Sequence, residues 1–195
     1  MNYTGMSPIQ FCRYMWLAWI LAWMLLALRT KRTQQRLKIT EALPYVIPTG
    51  VGVYLIFNRP EIMKRMGLWW PWVSTHTWLG LAGVAMTATG LLFAIWARLY
   101  LGANWSGQVT VKQEHELIRS GPYRFVRHPI YSGILFALGG TALCRHNVWA
   151  ILGFALVWLG LWIKSRLEER FMVQTFGAQY ESYRRTTGAL LPRLL

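Results

Sequence analysis

The stretch R-H-P-I-Y-S-G-I-L-F-A-L-G-G-T-A-L-C-R-H-N-V-W-A-I-L-G-F-A-L-V-W-L-G-L-W-I-K-S-R-L-E-E, Arg127 to Glu169, holds two apolar runs. They are Ile130 to Leu143 and Val148 to Ile163, parted by Cys144-Arg145-His146-Asn147. So short a link makes consecutive helices antiparallel neighbours, and the spacing predicts a helical hairpin over 130–163. Its two feet carry the polar residues, Arg127-His128 at one and Lys164 to Glu169 at the other. His128 and Glu168 are therefore expected at the same height. Both runs are shorter than the about 20 residues of a bilayer-crossing helix. They either re-enter without fully crossing or cross with local thinning.

Outward from the hairpin lie three more apolar segments: Phe11 to Leu28, with Arg13 close enough to its end to snorkel, Leu43 to Phe57, and Val73 to Leu101. Pro44, Pro48, Gly50 and Gly52 predict bends in the second. The expected fold is an all-α polytopic membrane protein of five transmembrane helices, with residues 1–195 as one integral membrane domain. Residues 1–101 form a three-helix N-terminal part, and 102–195 hold the hairpin and a cytoplasmic cofactor-binding half. Composition agrees, since 54% of residues are hydrophobic and only 14% charged, against roughly 25% charged in soluble domains. Aromatic residues make up 15%, which excludes a disordered chain.

Twenty-one Lys and Arg oppose seven acids, all Glu, for a net charge of +14. Such an excess suits nucleic acid or an anionic membrane face, and the apolar content selects the membrane, with no nucleic-acid partner expected. The basic residues sort by segment: Arg29, Lys31, Arg32, Arg36 and Lys38 follow the first span, and Arg98, Lys112, Arg119, Arg124 and Arg127 the third. Lys164, Arg166, Arg170, Arg184, Arg185 and Arg193 follow the fifth. Arg13, Arg59, Lys64, Arg65 and Arg145 remain for the opposite side. Basic loops stay cytoplasmic, so the N-terminus is expected outside and the C-terminus in the cytoplasm, across the inner membrane in a prokaryote. The N-terminus lacks a basic start, and no small-residue cleavage site follows Leu28, unlike a cleaved signal peptide.

Several chemistries are absent from the pattern. Two cysteines without CxxC spacing make neither a disulfide framework nor a metal site. His76, His115, His128 and His146 lack zinc-ligand spacing, so no metal is expected. No GxGxxG follows a strand and Ser132 lacks a GxSxG setting.

The polar residues that remain lie in 102–127 and 164–195. His128-Pro129 reads as a helix start, because proline in the first turn sacrifices no hydrogen bond. That positive end, beside Arg127, attracts an anion; equally, Arg127 could bind lipid phosphate while His128 caps the helix. Carboxylates as near hydrocarbon as Glu168 and Glu169 are costly unless paired or functional. Lys164 and Glu168 are spaced for an ion pair within one helix. Adjacent acids point in different directions on a helix, so only one of them is expected to do chemistry.

At these residues the chain resembles the isoprenylcysteine carboxyl methyltransferase family, and more broadly the phospholipid methyltransferases. The shared elements are L-G-x-N-W-S at Leu101 to Ser106, H-E-L-I at His115 to Ile118 and S-G-P-Y at Ser120 to Tyr123. R-H-P-I-Y-S-G at Arg127 to Gly133 follows, then Glu168-Glu169 and F-G-x-x-Y-x-x-Y-x-x-x-x-G-x-L-x-P at Phe176 to Pro192. The resemblance covers a little under half of the chain; the first hundred residues match only in being hydrophobic.

It implies S-adenosylmethionine as cofactor. His115, Glu116, Leu117 and Ile118 would line it, Tyr123 would pack on it, and His128, Pro129, Ile130 and Tyr131 would form its floor. Glu168 would hold its ammonium. The family's substrate-facing Arg falls on Lys164, a point charge without a bidentate fork; Arg166, on another helix face, is the candidate substitute. Tyr123, Tyr131 and Trp105 offer aromatic faces to a sulfonium.

The expected reaction is methyl transfer to a lipophilic or lipidated acceptor, as carboxyl O-methylation. Lys164 and Arg166 are the candidate substrate ligands, and Lys164 and Glu169 the candidate catalytic residues. An amine acceptor of the phosphatidylethanolamine type is the alternative and would need a base, Glu169 or His115. Membrane sterol reductases share an R-H-P-x-Y-x-G-like stretch and bind NADPH, but they are longer. A non-enzymatic scaffold binding anionic lipid through its basic loops is the last rival.

Overall fold

The computed structural model describes residues 6–28, 39–58, 64–65, 67, 77–102, 105 and 117–193. Its helices are α1 (Pro8–Ala27), α2 (Ile39–Phe57), α3 (Thr77–Leu101), α4 (Pro129–Arg145), α5 (Val148–Phe176) and α6 (Ala178–Thr186). A 3-10 turn at Gly121–Arg124 precedes α4. His115 and Glu116 lie outside the described residues, as do His76 and the basic residues Arg29, Lys31, Arg32, Arg36, Lys38, Arg59 and Lys112.

α1, α2, α3 and α5 are long and apolar enough to cross a membrane. The second arm of the hairpin is longer than expected, because α5 runs unbroken past Ile163 to Phe176. The first arm, α4, has 17 residues, or about 25 Å at 1.5 Å per residue. It is also the most enclosed helix, with Gly133, Leu135, Leu138, Thr141 and Cys144 among its buried residues. On the other four, Leu21, Met24, Ile47, Tyr54, Leu81, Leu92 and Leu152 stay exposed, a costly arrangement in water but the right one against lipid tails.

Without a hydrophobic force between helices in lipid, close packing of small residues holds them. α3 lies along α4, and α2 along α5, in the two most extensive contacts of the fold. A Cβ on Gly90 would sit 2.5 Å from the Gly133 carbonyl oxygen, and one on Gly52 would sit 2.4 Å from that of Gly153. Gly52 thus serves close contact, whereas Gly50 has nothing within 4 Å of where its Cβ would be. α2 is continuous through Pro44 and Pro48, so any bend the prolines introduce does not break the helix.

Polar side chains tie the pairs together. Trp16 Nε1 donates to Thr141 Oγ1 at 3.0 Å, and Thr87 Oγ1 lies 3.2 Å from Thr141 Oγ1 while donating to the Gly83 carbonyl at 2.8 Å. At one end of the bundle Arg13 donates to the Phe57 carbonyl at 3.2 Å, and Arg145 to that of Asn58. At the other end Arg98, 2% exposed, donates to the carbonyls of Leu26 and Gly102 at 2.9 and 2.8 Å. These contacts put the ends of α1 and α3 together, and the end of α2 with the start of α1 and the α4–α5 turn.

Candidate active site

The chain enters α4 through a strapped turn. The Arg127 and His128 amides donate to the carbonyls of Gly188 and Ala189 at 2.9 and 3.0 Å. Ser132 Oγ donates to the Leu190 carbonyl at 2.6 Å, and the Tyr183 hydroxyl to that of Tyr123. The tail beyond α6 therefore fixes the height of His128, an arrangement the sequence spacing does not disclose.

His128 meets both acids of α5. Its Nδ1 is 3.4 Å from Glu168 Oε2 and its Nε2 is 3.3 Å from Glu169 Oε1. A neutral imidazole has one N–H, whereas the imidazolium has two, so this geometry suits the charged ring. Burial alone would lower the His128 pKa, but the hydrogen bonds and negative charges of Glu168 and Glu169 outweigh it and raise the value above 6.5. The feet of the hairpin meet as the topology predicts. The two acids point in different directions, about 100° apart on the helix, and the imidazole bridges that angle with one ring nitrogen toward each.

Beyond His128 the acids differ. Glu169, whose side chain is 4% exposed, takes Arg127 Nη2 at 2.6 Å and Nε at 2.8 Å on one oxygen, with Arg184 Nε 3.5 Å from the other. Burial opposes its charge, but hydrogen bonds from His128 and Arg127 and their positive charges bring its pKa down to about 2. Glu168 is more open, at 20%. Its Oε1 accepts from the Tyr131 hydroxyl at 2.5 Å and lies 4.0 Å from Lys164 Nζ. Burial works against its charge too, but the His128 hydrogen bond and the Lys164 charge leave its pKa lowered.

Around Glu168 the rings close in. Tyr131 stacks on His128 with centroids 5.5 Å apart, and Lys164 Nζ stands 5.3 Å from the Tyr131 ring and 5.7 Å from that of Tyr45. Tyr45, on α2, is absent from the sequence-derived set. It reaches Lys164 because Gly160 lets α2 approach α5, a Cβ there falling 2.8 Å from the Tyr45 carbonyl oxygen. A lone aromatic in an apolar span gives no signal of this.

The other expected residues fall at different removes. Pro129 and Ile130 are buried, leaving only backbone groups to offer. Leu117 and Ile118 are half-buried. Tyr123 turns toward α3, its hydroxyl 3.4 Å from the Ala97 carbonyl. Trp105 lies under Arg98, 4.3 Å from ring centroid to guanidinium carbon. Arg166 does not join Lys164: it sits on the Glu169 side, 3.9 Å from Oε2, half exposed.

A sequence profile of the phospholipid methyltransferase family matches residues 78–179, more than half of the chain. The chain belongs to this family. The phospholipid methyltransferase match runs from the start of α3 into α6, taking in Tyr131, His128, Lys164, Glu168 and Glu169 but not Tyr45 or the tail strap. Among curated relatives, protein-S-isoprenylcysteine O-methyltransferase B of Arabidopsis thaliana is 29% identical over 119 residues, 60% of each chain. The Homo sapiens protein-S-isoprenylcysteine O-methyltransferase is 29% identical over 128 residues, 64% of this chain and 45% of that one. The chain thus spans less than two thirds of the length of these relatives. In fold it is similar to a eukaryotic intramembrane Ras methyltransferase, with a TM-score of 0.56 and 22% identity over 76% of this chain and 52% of the other.

Proposed function

We propose that the protein methylates a lipophilic carboxylate at the cytoplasmic face of its membrane, with S-adenosylmethionine as donor. The observation that carries this is a carboxylate, Glu168, and a cation, Lys164, 4.0 Å apart between the Tyr131 and Tyr45 rings. Family membership supports methyl transfer, and the crowding of basic residues at that end supports its cytoplasmic placement, with the N-terminus outside.

The residues suit the donor. A carboxylate has about four acceptor positions; Tyr131 and His128 occupy two on Glu168, leaving room for the donor's ammonium. In the first turn of α4 the Ile130 and Tyr131 amides have no carbonyl partner within their own helix and would face a carboxylate favourably. The Tyr131 ring offers a π face to a cation. When bound, S-adenosylmethionine supplies an electrophilic methyl on a sulfonium.

Lys164 then selects the acceptor. An ammonium at the mouth of the site attracts an anion and repels a protonated amine. A carboxylate is already ionised at pH 7, so no proton need be removed and the residues act by positioning. Glu169, gripped on one oxygen by Arg127 and held near pKa 2, is a poor base. Its role passes from catalysis to positioning His128. This favours carboxyl over amine methylation. Labelled-methyl transfer to a panel of lipidic carboxylates, amines and thiols tests it. At saturating donor, kcat is expected to be flat near neutrality for the carboxylate; transfer confined to amines, rising with pH, overturns it.

A further inference from the structure

Cys12 on α1 and Cys144 on α4 take no part in the site, which lies at the opposite end of the bundle. They are 132 positions apart in sequence, yet their Sγ atoms lie 3.6 Å apart as free thiols. Cys12 is fully buried and Cys144 is 7% exposed, two residues before the α4–α5 turn residue His146. Gly83 makes room for them, since a Cβ there would fall 2.5 Å from Cys144 Sγ. A disulfide is about 2.0 Å long, so the two sulfurs have about 1.6 Å left to close.

Closing it strands no buried group. Cys12 Sγ gives up a 3.5 Å contact with Thr87 Oγ1, which keeps its 2.8 Å bond to the Gly83 carbonyl. Cys144 Sγ gives up a 3.4 Å bond to the Gly80 carbonyl, an oxygen inside α3 with a helical partner of its own. The charge distribution adds a second argument. This is the end where Arg13 and Arg145 cap α2 and basic residues are few, hence the non-cytoplasmic end, and disulfides persist in oxidising compartments.

We propose that Cys12 and Cys144 are joined by a disulfide that staples the start of α1 to the end of α4. The inference goes beyond methyl transfer and rests on the orientation given above. The oxidant is a disulfide-exchange donor acting during membrane assembly, before Cys12 is enclosed. The Cys144 thiolate attacks the donor disulfide and releases one donor thiol; the Cys12 thiolate then attacks the Cys144 sulfur and releases the second. Two electrons and two protons end on the donor, and one S–S bond replaces another at each step.

The full-length protein, in membranes of a bacterium with an oxidising periplasm, is denatured directly in N-ethylmaleimide and its intact mass measured. The expected chain carries no adduct, is lighter than its reduced form by two hydrogen atoms, and takes two maleimides only after reduction. Two adducts without reduction overturn the disulfide. Orientation is read separately in a Cys12→Ser, Cys144→Ser chain carrying Arg185→Cys, with a membrane-impermeant maleimide. Labelling from the cytoplasmic side supports the topology, so free wild-type thiols then count against the disulfide alone. Labelling from outside overturns the orientation and the compartment argument with it. As a second readout, reductant lowers the thermal midpoint of the wild type and leaves that of Cys12→Ala unmoved; equal responses overturn the staple.

Discussion

Replacing Glu169 by Gln keeps the shape of the side chain and removes its charge, which separates the two adjacent acids by role. Arg127, 8% exposed at its side chain, and His128 would keep positive charges without that compensating carboxylate. Lowering the Glu169 pKa from 4.5 to about 2 corresponds to roughly 3 kcal/mol at 1.36 kcal/mol per unit. Water reaching the Arg184 and Arg166 side of the cluster screens part of it, leaving about 2 kcal/mol. For a domain of this size each kcal/mol moves Tm by about 2–4 °C; Glu169→Gln should therefore melt roughly 4–8 °C below wild type in detergent. Donor affinity, measured by calorimetry with S-adenosylhomocysteine at a temperature where both are folded, should fall only as far as His128 shifts. The assignment is refuted if Glu169→Gln melts like wild type while donor binding disappears.

The complementary change, Glu168→Ala, is expected to abolish binding of S-adenosylhomocysteine in a chain that still folds, with Tm lowered by several degrees as Tyr131 and His128 lose a partner; retained affinity removes Glu168 from the site. Lys164→Ala should raise the acceptor KM about tenfold or more, the loss of one charge-assisted contact, with donor affinity little changed, and Lys164→Arg should restore most of it; an effect confined to the donor contradicts the assignment. pH acts through two groups with opposite signs. The raised His128 pKa gives a contribution fully present below about 6.5 and lost as pH climbs through the folded-state value. That of Glu169 is present above 4.5 and lost as pH falls toward about 2. Tm against pH should show both limbs, and His128→Asn should flatten the alkaline one; an unchanged alkaline limb assigns it elsewhere.

The hairpin and the meeting of His128 with Glu168 were legible because chain length and a four-residue link dictate them. The division of labour between Glu168 and Glu169 was not. It depends on a ring lodged between them and on Arg127, whose own position is set by the Gly188 carbonyl at the far end of the chain. Likewise Pro44 and Pro48 can be read from the sequence alone, whereas the close fit of Gly52 against Gly153, which lays α2 along α5, cannot. Tyr45 enters the site through that same contact. Local rules find elements and feet; which side chains face one another follows from helix contacts that only the packed bundle defines.

Those contacts also make the site sensitive to changes far from its chemistry. α3 and α4 form one tight pair and α2 and α5 another, while α4 and α5 touch less along their length. An apolar cleft of about 840 Å³, lined by Gly90, Phe136, Gly139, Phe154 and Trp158 among others, opens where α3, α4 and α5 diverge. The ion cluster of Arg127, His128, Glu168 and Glu169 thus bridges the two pairs at their feet. Anything that moves α4 against α3 should misalign it. At Gly133 an added Cβ would lie 2.6 Å from the Gly90 carbonyl oxygen and 2.8 Å from the Ala94 amide, both backbone, whereas at Gly139 the nearest atom is 3.6 Å away. Gly133→Ala must then push α4 off α3 by several tenths of an ångström, at a cost of about 1–3 kcal/mol for overpacking. It carries Tyr131 and His128, within five residues on the same rigid element, away from Glu168. Donor affinity should fall along with Tm in Gly133→Ala, while Gly139→Ala, inside the same helix and of the same chemistry, should leave both near wild type. Equal behaviour of the two variants would mean that the seam between α3 and α4 does not set the geometry of the site.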